Sequence, residues 1–469
     1  MKPGRFEIAV LALFLLIGIY QLFIPPLIGI ADNGDFARLR YPNGLERIPS
    51  EAEDQRFNYV HSRFAVVPEP AVGIYYFHTS SHLFVGAARW LNVLLVSPQQ
   101  FDLRVLAALY LACFLLGMFL ILKSTRRFAL HWRCLIAGAL LLMFSDTAYM
   151  AYFSSFYSEP TALVCLILAV GCSLLLISRQ GGFAALAGYF AASGFLISAK
   201  PMYVPFALLF IPLGIYLTRF VSFKFRWGFT GAVSAVLLML AVAYQAITPE
   251  WLRMKANYIA IFSVLLPESP NPAEDLLILN LRPEWIRYIG TSPYDADGPV
   301  ETDAEFRKEF IRRVRTLTIP RYFLKRPAQL YRVASHIAPQ MVITLPAYAG
   351  YYEESSGKPA RSKPPAPWSR LRSRIFPSSL WLLLLYFASG AAALAIAFRR
   401  DLTEFTRGLL LLYSLLVAFG AVIFVLPIFT MAWFDTRYSI TFVSAFDMTL
   451  ILAAGMLMQG MMSFQKKAK

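Results

Sequence analysis

Charge is scarce in this chain. Only 15% of its 469 residues are Asp, Glu, Lys or Arg, against about 25% in soluble globular proteins, which excludes an ordinary soluble domain. Cysteine is scarcer still: Cys113, Cys134, Cys165 and Cys172 all lie in apolar runs, with no Cys-x-x-Cys. That excludes a disulfide framework and a zinc knuckle. Histidine is rare as well. His78 and His82 stand four apart and share a helix face, but no HExxH or clustered third ligand accompanies them, which argues against zinc. Gly181-Gly182 has neither a Walker nor a Rossmann context, so no nucleotide site is expected. Internal repeats of the kind many secondary transporters carry are missing. Acids are the rarer sign, 28 against 44 Lys and Arg, for a net charge of +16. The cations punctuate apolar runs or sit in one long loop, so membrane topology and anionic lipid explain them better than nucleic acid.

What abounds is apolar surface: 58% hydrophobic residues, 15% aromatic, mean hydropathy +0.54. Several runs reach roughly 18 to 22 residues, enough to cross about 30 Å of hydrocarbon as helix. They do not alternate, which excludes a β-barrel. The expected fold is an all-α polytopic membrane protein of about ten transmembrane helices. The spans are read at 7–26, 103–122, 133–151, 160–177, 183–198, 202–219, 228–247, 379–398, 407–428 and 438–459. The N-terminal "MKPGRFEIAVLALFLLIGIYQLF" has the order of a secretory signal, but its apolar part is too long for a typical cleaved one. Gly29-Ile30-Ala31 is a weak cleavage tripeptide, and the segment reads as an uncleaved anchor.

With Met1 in the cytoplasm, the inside segments are "KSTRR", "SRQGG", "RFVSFKFR", "FRRDLTEFTR" and "QKKAK", and all carry Lys or Arg. The opposite orientation would leave "SSFYSEP" inside with no positive charge, so both termini are expected in the cytoplasm. "SSHLFVGAARWLNVLLV", at 80–96, is short and holds Arg89 and Asn92. Counting it as a span would invert every later loop, so it reads as an interfacial amphipathic helix on the outer face. Three regions result: a membrane module 1–247 with an outer loop 27–102, an outer loop domain 248–377, and C-terminal spans 378–469. The basic helical stretch within the loop domain suits lipid phosphates, or is a solvated face.

Under this topology unusual polar residues gather on the outer face. "ADNGDFARL" brings Asp32 and Asp35 out of the first span. Asp32 reads as a turn former or an acid of a site, and Asp35 as functional, because acids so near a span are expensive without a role. "YFSSFYSEP" brings Tyr157 and Glu159; the acid before Pro160 is either a charge complement at a helix start or a site group. "SAKPMYVP" brings Lys200, which either snorkels or binds an anion. "FDTRYSI" brings Asp435 and Arg437, a local ion pair or part of the site. The aromatics of this face, Tyr149, Tyr152, Phe153, Phe156, Tyr157, Tyr203, Trp433 and Phe434, suit an interfacial belt, and sugar binding would use the same rings.

The first span with its acidic outer loop and interfacial helix resembles the type C (GT-C) glycosyltransferase fold. "NGDFARL", "YFSSFYSEP", "SAKPMYVP", "DTRYSI" and the segment 257–295 resemble bacterial hexosyltransferases of cell-surface and S-layer glycan assembly. The resemblance runs from Met1 to about Leu450 and is weakest across 41–75 and 296–375. It implies an enzyme of the bacterial cytoplasmic membrane, acting on the extracytoplasmic side. Such an enzyme moves a hexose from a polyprenyl-phosphate carrier to a glycan, lipid or protein acceptor. Carried over, Asp35 becomes the base that deprotonates the acceptor hydroxyl, with Asp32 its rival. Glu159 orients the acceptor or supports the base, and Lys200 and Arg437 hold the lipid phosphate. Arg321, Lys325 and Arg326 form a weaker second set of phosphate cations, and Tyr157, Asp435 and His78 complete the candidates. The acids stand as "DNGD", one residue wider than a DxD pair, so no obligatory metal is expected. The rival readings are a flippase or transporter of a lipid-linked saccharide and an O-antigen ligase or polymerase. The first would place its charges at the bilayer midplane; the second would depend more on arginines of a large outer loop.

Overall fold

Long apolar runs fold as helices because hydrocarbon offers no partner for an unpaired backbone donor or acceptor. The computed structural model describes residues 4–48, 57–68, 78–376, 379–430 and 436–467. Its main helices are α1 (Arg5–Leu22), α2 (Ser81–Leu95), α3 (Leu103–Ser124), α4 (Leu130–Phe144), α5 (Glu159–Ile177), α6 (Phe183–Ile197), α7 (Ala207–Leu217), α8 (Arg226–Ile247), α9 (Leu380–Ala397), α10 (Glu404–Thr430) and α11 (Ser439–Lys467).

Among the described residues eight helical segments are long and apolar enough to span a membrane, nine with one bent pair, against the ten expected. Two local causes account for the difference. α6 has only 15 residues, about 22 Å at 1.5 Å per residue. The third expected span breaks after Phe144, where Asp146 Oδ1 accepts from the Ala148 amide at 2.8 Å and starts a new helix (Thr147–Met150) bent by 55°. The chain is therefore an all-α multi-pass membrane protein.

α5 is the central helix and almost wholly buried. It lies close against α3 because two glycines meet there. A Cβ on Gly117 would stand 2.6 Å from Ile167 Cγ2, and one on Gly171 would stand 2.8 Å from Leu120 Cβ. Small residues at such a crossing let helix backbones approach, which is how packing replaces the hydrophobic effect inside lipid. This contact sets the height of Glu159, the first residue of α5.

The first loop carries a three-stranded antiparallel sheet that the sequence reading did not anticipate: β1 (Leu45–Glu46), β2 (Arg63–Val66) and β3 (Gln100–Asp102), with Phe64 opposite Phe101. α2 packs beside it. Asn92 donates to Ser97 O at 2.9 Å and Gln100 O at 2.8 Å and accepts from the Asp102 amide, so the polar residue faces protein. Leu83, Trp90, Leu94 and Leu95 face outward, as an interfacial helix requires.

Between α8 and α9 the chain forms short helices around an aromatic core of Tyr258, Phe262, Trp285, Phe306 and Phe310. The loop then lies back on the bundle. The Gly29 amide donates to Tyr351 O at 3.1 Å and the Ala31 amide to Gly350 O at 3.0 Å. A Cβ at Gly350 would overlap the Asn58 carbonyl, so only glycine admits this approach. Arg372, wholly buried, donates to Asp447 Oδ2 of α11 at 3.0 Å. Trp368 Nε1 and the Tyr149 hydroxyl donate to the same oxygen at 2.7 Å and 2.5 Å. Asp447 is a lone acid inside an expected span, and that signal could have marked it beforehand.

Candidate active site

Asp32 and Asp35 follow α1 by ten and thirteen residues, and their side chains take different partners. Asp32 Oδ1 accepts from the Gly34 amide at 2.6 Å and the Phe36 amide at 3.2 Å, and Oδ2 accepts from Arg47 at 2.8 Å. It shapes the turn. That turn leaves Asp35 with its carboxylate directed across the bundle, where Oδ2 accepts from Arg437 Nη2 at 2.8 Å and Oδ1 from Arg38 Nη2 at 2.9 Å. Burial raises the Asp35 pKa, but the charges of Arg38 and Arg437 outweigh it and hold the carboxyl at about 2.

Arg437 just precedes α11 and is buried. Its guanidinium lies 4.3 Å from the centre of the Tyr157 ring. Tyr157 is itself fixed by donating to Ala31 O at 2.7 Å and by edge contact with Phe36. The neighbouring Tyr438 ring lies 4.3 Å from Lys200 Nζ, a cation–π contact. Lys200 Nζ also donates to Glu159 Oε1 at 2.5 Å. Burial lowers the Lys200 pKa and Glu159 opposes that shift. Glu159 is fully buried and its second oxygen, Oε2, has no hydrogen-bond partner. A buried carboxylate oxygen left unmet is costly and marks a place where a ligand hydroxyl or water would be held.

Asp35, Tyr157, Glu159, Lys200 and Arg437 thus meet at one end of the bundle, where the end of α1, the start of α5, the α6–α7 junction and the start of α11 converge. The sequence reading missed three members. Arg38 stands three residues from Asp35 on the next helical turn. Tyr294 of the second loop lies beside Arg38, and Lys255 lies 4.6 Å from the Tyr294 ring while pairing with Glu301 at 2.7 Å. The "RLR" after Asp35 was the signal for Arg38; nothing local marks Tyr294.

The other candidates stand elsewhere. Arg326 pairs with Glu274 and lies 3.5 Å from Asp275, within the second loop. Arg321 and Lys325 are exposed on the helix Thr318–Lys325. His78 is exposed beside an apolar cleft of about 410 Å³ between α2, α6 and α8. Asp435, Trp433 and Phe434 lie outside the described residues. The aromatic belt is corrected: Tyr149, Tyr152, Phe153, Phe156, Tyr157 and Tyr203 are all buried. The bend at Asp146 turns five of them into the protein, and the sixth, Tyr203, sits in the short helix Pro201–Phe206 between α6 and α7. Among the described residues no three His, Cys, Asp or Glu side chains come together as metal ligands. Asp32 and Asp35, which "DNGD" holds close in sequence, do not face a common point.

A family model described as the YfdI N-terminal transmembrane domain matches residues 4–469. The chain belongs to that family. Comparison with curated proteins gives no match. Among solved structures this family member is similar to the archaeal oligosaccharyltransferase AglB from Archaeoglobus fulgidus, determined with an inhibitory peptide and a dolichol-phosphate. The identity is 12% and the TM-score 0.40, over 99% of this chain and 52% of that one. The chain thus spans about half the length of the structure it matches, and at that TM-score the likeness carries no argument about the site.

Proposed function

We propose that this protein is a membrane glycosyltransferase of the type C kind that moves a hexose from a polyprenyl-phosphate carrier to an acceptor outside the cytoplasm. The observation that carries the reading is the meeting of Asp35, Lys200 and Arg437 from three distant stretches at one end of the bundle. An acid beside a grouped pair of cations matches what displacement at a glycosyl phosphate needs. The phosphate is already a good leaving group, so the protein supplies a base for the acceptor hydroxyl and positive charge for the departing phosphate.

The resting geometry adds a condition. A carboxylate held at about 2 by two arginines is a poor base, since a base works best with a pKa near the working pH. A donor phosphate seated on Arg437 and Lys200 competes with Asp35 for the Arg437 guanidinium and so raises the basicity of Asp35. The acceptor oxygen then attacks the anomeric carbon as Asp35 takes its proton. The bond to the phosphate oxygen breaks, and its electron pair leaves with the carrier phosphate, held by Lys200 and Arg437. Direct displacement inverts the anomeric centre. Glu159 keeps Lys200 in position, and its unpaired Oε2 offers an acceptor a second hydroxyl contact. No step is assigned to a metal.

The test is transfer of labelled sugar by the detergent-purified chain, supplied with candidate polyprenyl-phosphate hexoses and acceptor. The reading requires transfer by the wild type and its loss in Asp35→Asn. Translocation of the lipid-linked sugar in liposomes without any acceptor, and no transfer, would establish a transporter instead.

A further inference from the structure

The segment Gly350–Phe376 is fastened to the bundle at three points. Its start runs along residues 28–31, with Ile28 and Tyr352 in an antiparallel bridge. The first turn of its last helix meets the α4 break, where the Ser369 amide donates to Asp146 Oδ2 at 3.1 Å. The same helix, Pro367–Ile375, inserts Trp368 and Arg372 onto Asp447. A segment held this firmly presents its outer side as a fixed surface.

That surface is basic. Lys358, Arg361, Lys363, Arg370 and Arg374 are exposed, and none of them forms an ion pair among the described residues. Tyr352, Lys358, Ser362, Lys363, Pro364, Pro365 and Arg370 line a cleft of about 510 Å³, with Lys358 Nζ 4.2 Å from the Tyr352 ring. The helix Pro367–Ile375 exposes one stripe, Arg370, Leu371, Arg374 and Ile375, at the i, i+4 spacing of a single face. Leu371 is 41% and Ile375 54% exposed, and Trp381 in the first turn of α9 is 67% exposed. Cations whose apolar neighbours lead directly into a span suit a headgroup with acyl chains better than a soluble anion, because their stems lie on lipid while their heads reach phosphate.

We propose that the cleft between Tyr352 and Arg370 binds the phosphate headgroup of an anionic phospholipid, with Leu371, Ile375 and Trp381 against its acyl chains. The bound lipid seats the second loop on the leaflet next to the candidate active site. The site is independent of sugar transfer and stands whether or not the proposed activity does.

The experiment is native mass spectrometry of the full chain in mild detergent, titrated with phosphatidylglycerol or phosphatidylcholine. The wild type is expected to retain one phosphatidylglycerol in preference to phosphatidylcholine. At about fivefold per surface cation, Lys358→Ala/Lys363→Ala/Arg370→Ala should weaken that adduct on the order of 100-fold. The charge-preserving Lys358→Arg/Lys363→Arg/Arg370→Lys should keep it. Each single alanine variant is read in the same way, so a folding defect in the triple variant does not mask the result. Equal retention of the two lipids, or full phosphatidylglycerol binding in the alanine variants, would overturn the site. Displacement of the lipid by millimolar inorganic phosphate would overturn the lipid as its occupant.

Discussion

Glu7 and Asp35 bracket the first span, and each is held by two arginines. Glu7 accepts four bonds: Arg126 Nε at 2.9 Å and Arg133 Nη2 at 2.7 Å on one oxygen, the Gly4 amide at 2.7 Å and Arg126 Nη2 at 3.0 Å on the other. Its side chain is 1% exposed and has no lone pair to spare. Asp35 accepts one bond from each of its arginines and is 26% exposed, with Lys200 and the buried, half-satisfied Glu159 nearby. The same acid-and-arginine chemistry is therefore a closed clasp at one end and an open site at the other. What separates structure from chemistry is spare valence and access.

The comparison breaks most sharply with one amide at each end. Asp35→Asn should cut sugar transfer per folded molecule by about 10²- to 10⁴-fold, the range for a lost general base, on top of the stability lost when Arg38 and Arg437 face a neutral amide. A variant that transfers at full rate would remove Asp35 from the mechanism. Glu7→Gln should cost stability alone. It leaves two arginines facing a neutral amide, and for a pair partly open to solvent the cost is about 3 kcal/mol. Thermal melting in detergent should reveal that loss, with transfer per folded molecule unchanged.

Lys200→Met tests the site's second cation. Losing a charge-assisted bond of about 1.5 to 3 kcal/mol should raise the donor KM by roughly ten- to a hundredfold. The acceptor KM should not move. An equal rise in both would mean that Lys200 only supports the packing of Glu159 and Tyr438.

Much of this arrangement was legible beforehand because the charge rule sorts loops by side, and residues on one side of a bundle can meet. Asp35, Glu159, Lys200 and Arg437 were collected in that way. What the rule does not contain is pairing. It offered Arg437 as a local partner of Asp435 or as part of the site, without the bond by which Arg437 reaches back 402 positions to Asp35. The resemblance grouped Arg326 with the phosphate cations, whereas Arg326 pairs with Glu274 inside the second loop. The break in α4 was hidden because "MFSDTAYM" is apolar enough to continue a span. The one residue that stops it, Asp146, acts through a cap and a contact with Ser369, more than two hundred residues away. Long apolar runs betray helices; their ends and partners are settled by single polar atoms.

The finest difference between the two ends is a pH profile. Asp35 must be ionised to accept a proton, and its pKa of about 2 lies below the ordinary 3.8. In the free protein the acid limb of kcat/KM should therefore fall near pH 2, leaving this limb flat above about pH 4. The stability that the depressed carboxyl contributes follows the same window: fully present above pH 3.8, lost as pH falls toward 2. Arg437→Met removes the cation that both bonds Asp35 and lowers its pKa by charge, and leaves burial, which raises the pKa, opposed by Arg38 and Lys200. The limb should move upward, so that transfer at pH 4 drops relative to pH 7. If donor phosphate draws Arg437 away, the wild-type limb of kcat, which reports the complex, should also stand above that of kcat/KM. Glu7→Gln, at the closed end, should shift neither limb. A limb that stays in place in Arg437→Met would show that Arg38 and Lys200 set the basicity of Asp35 without Arg437, and the release of the base by donor phosphate would fall with it.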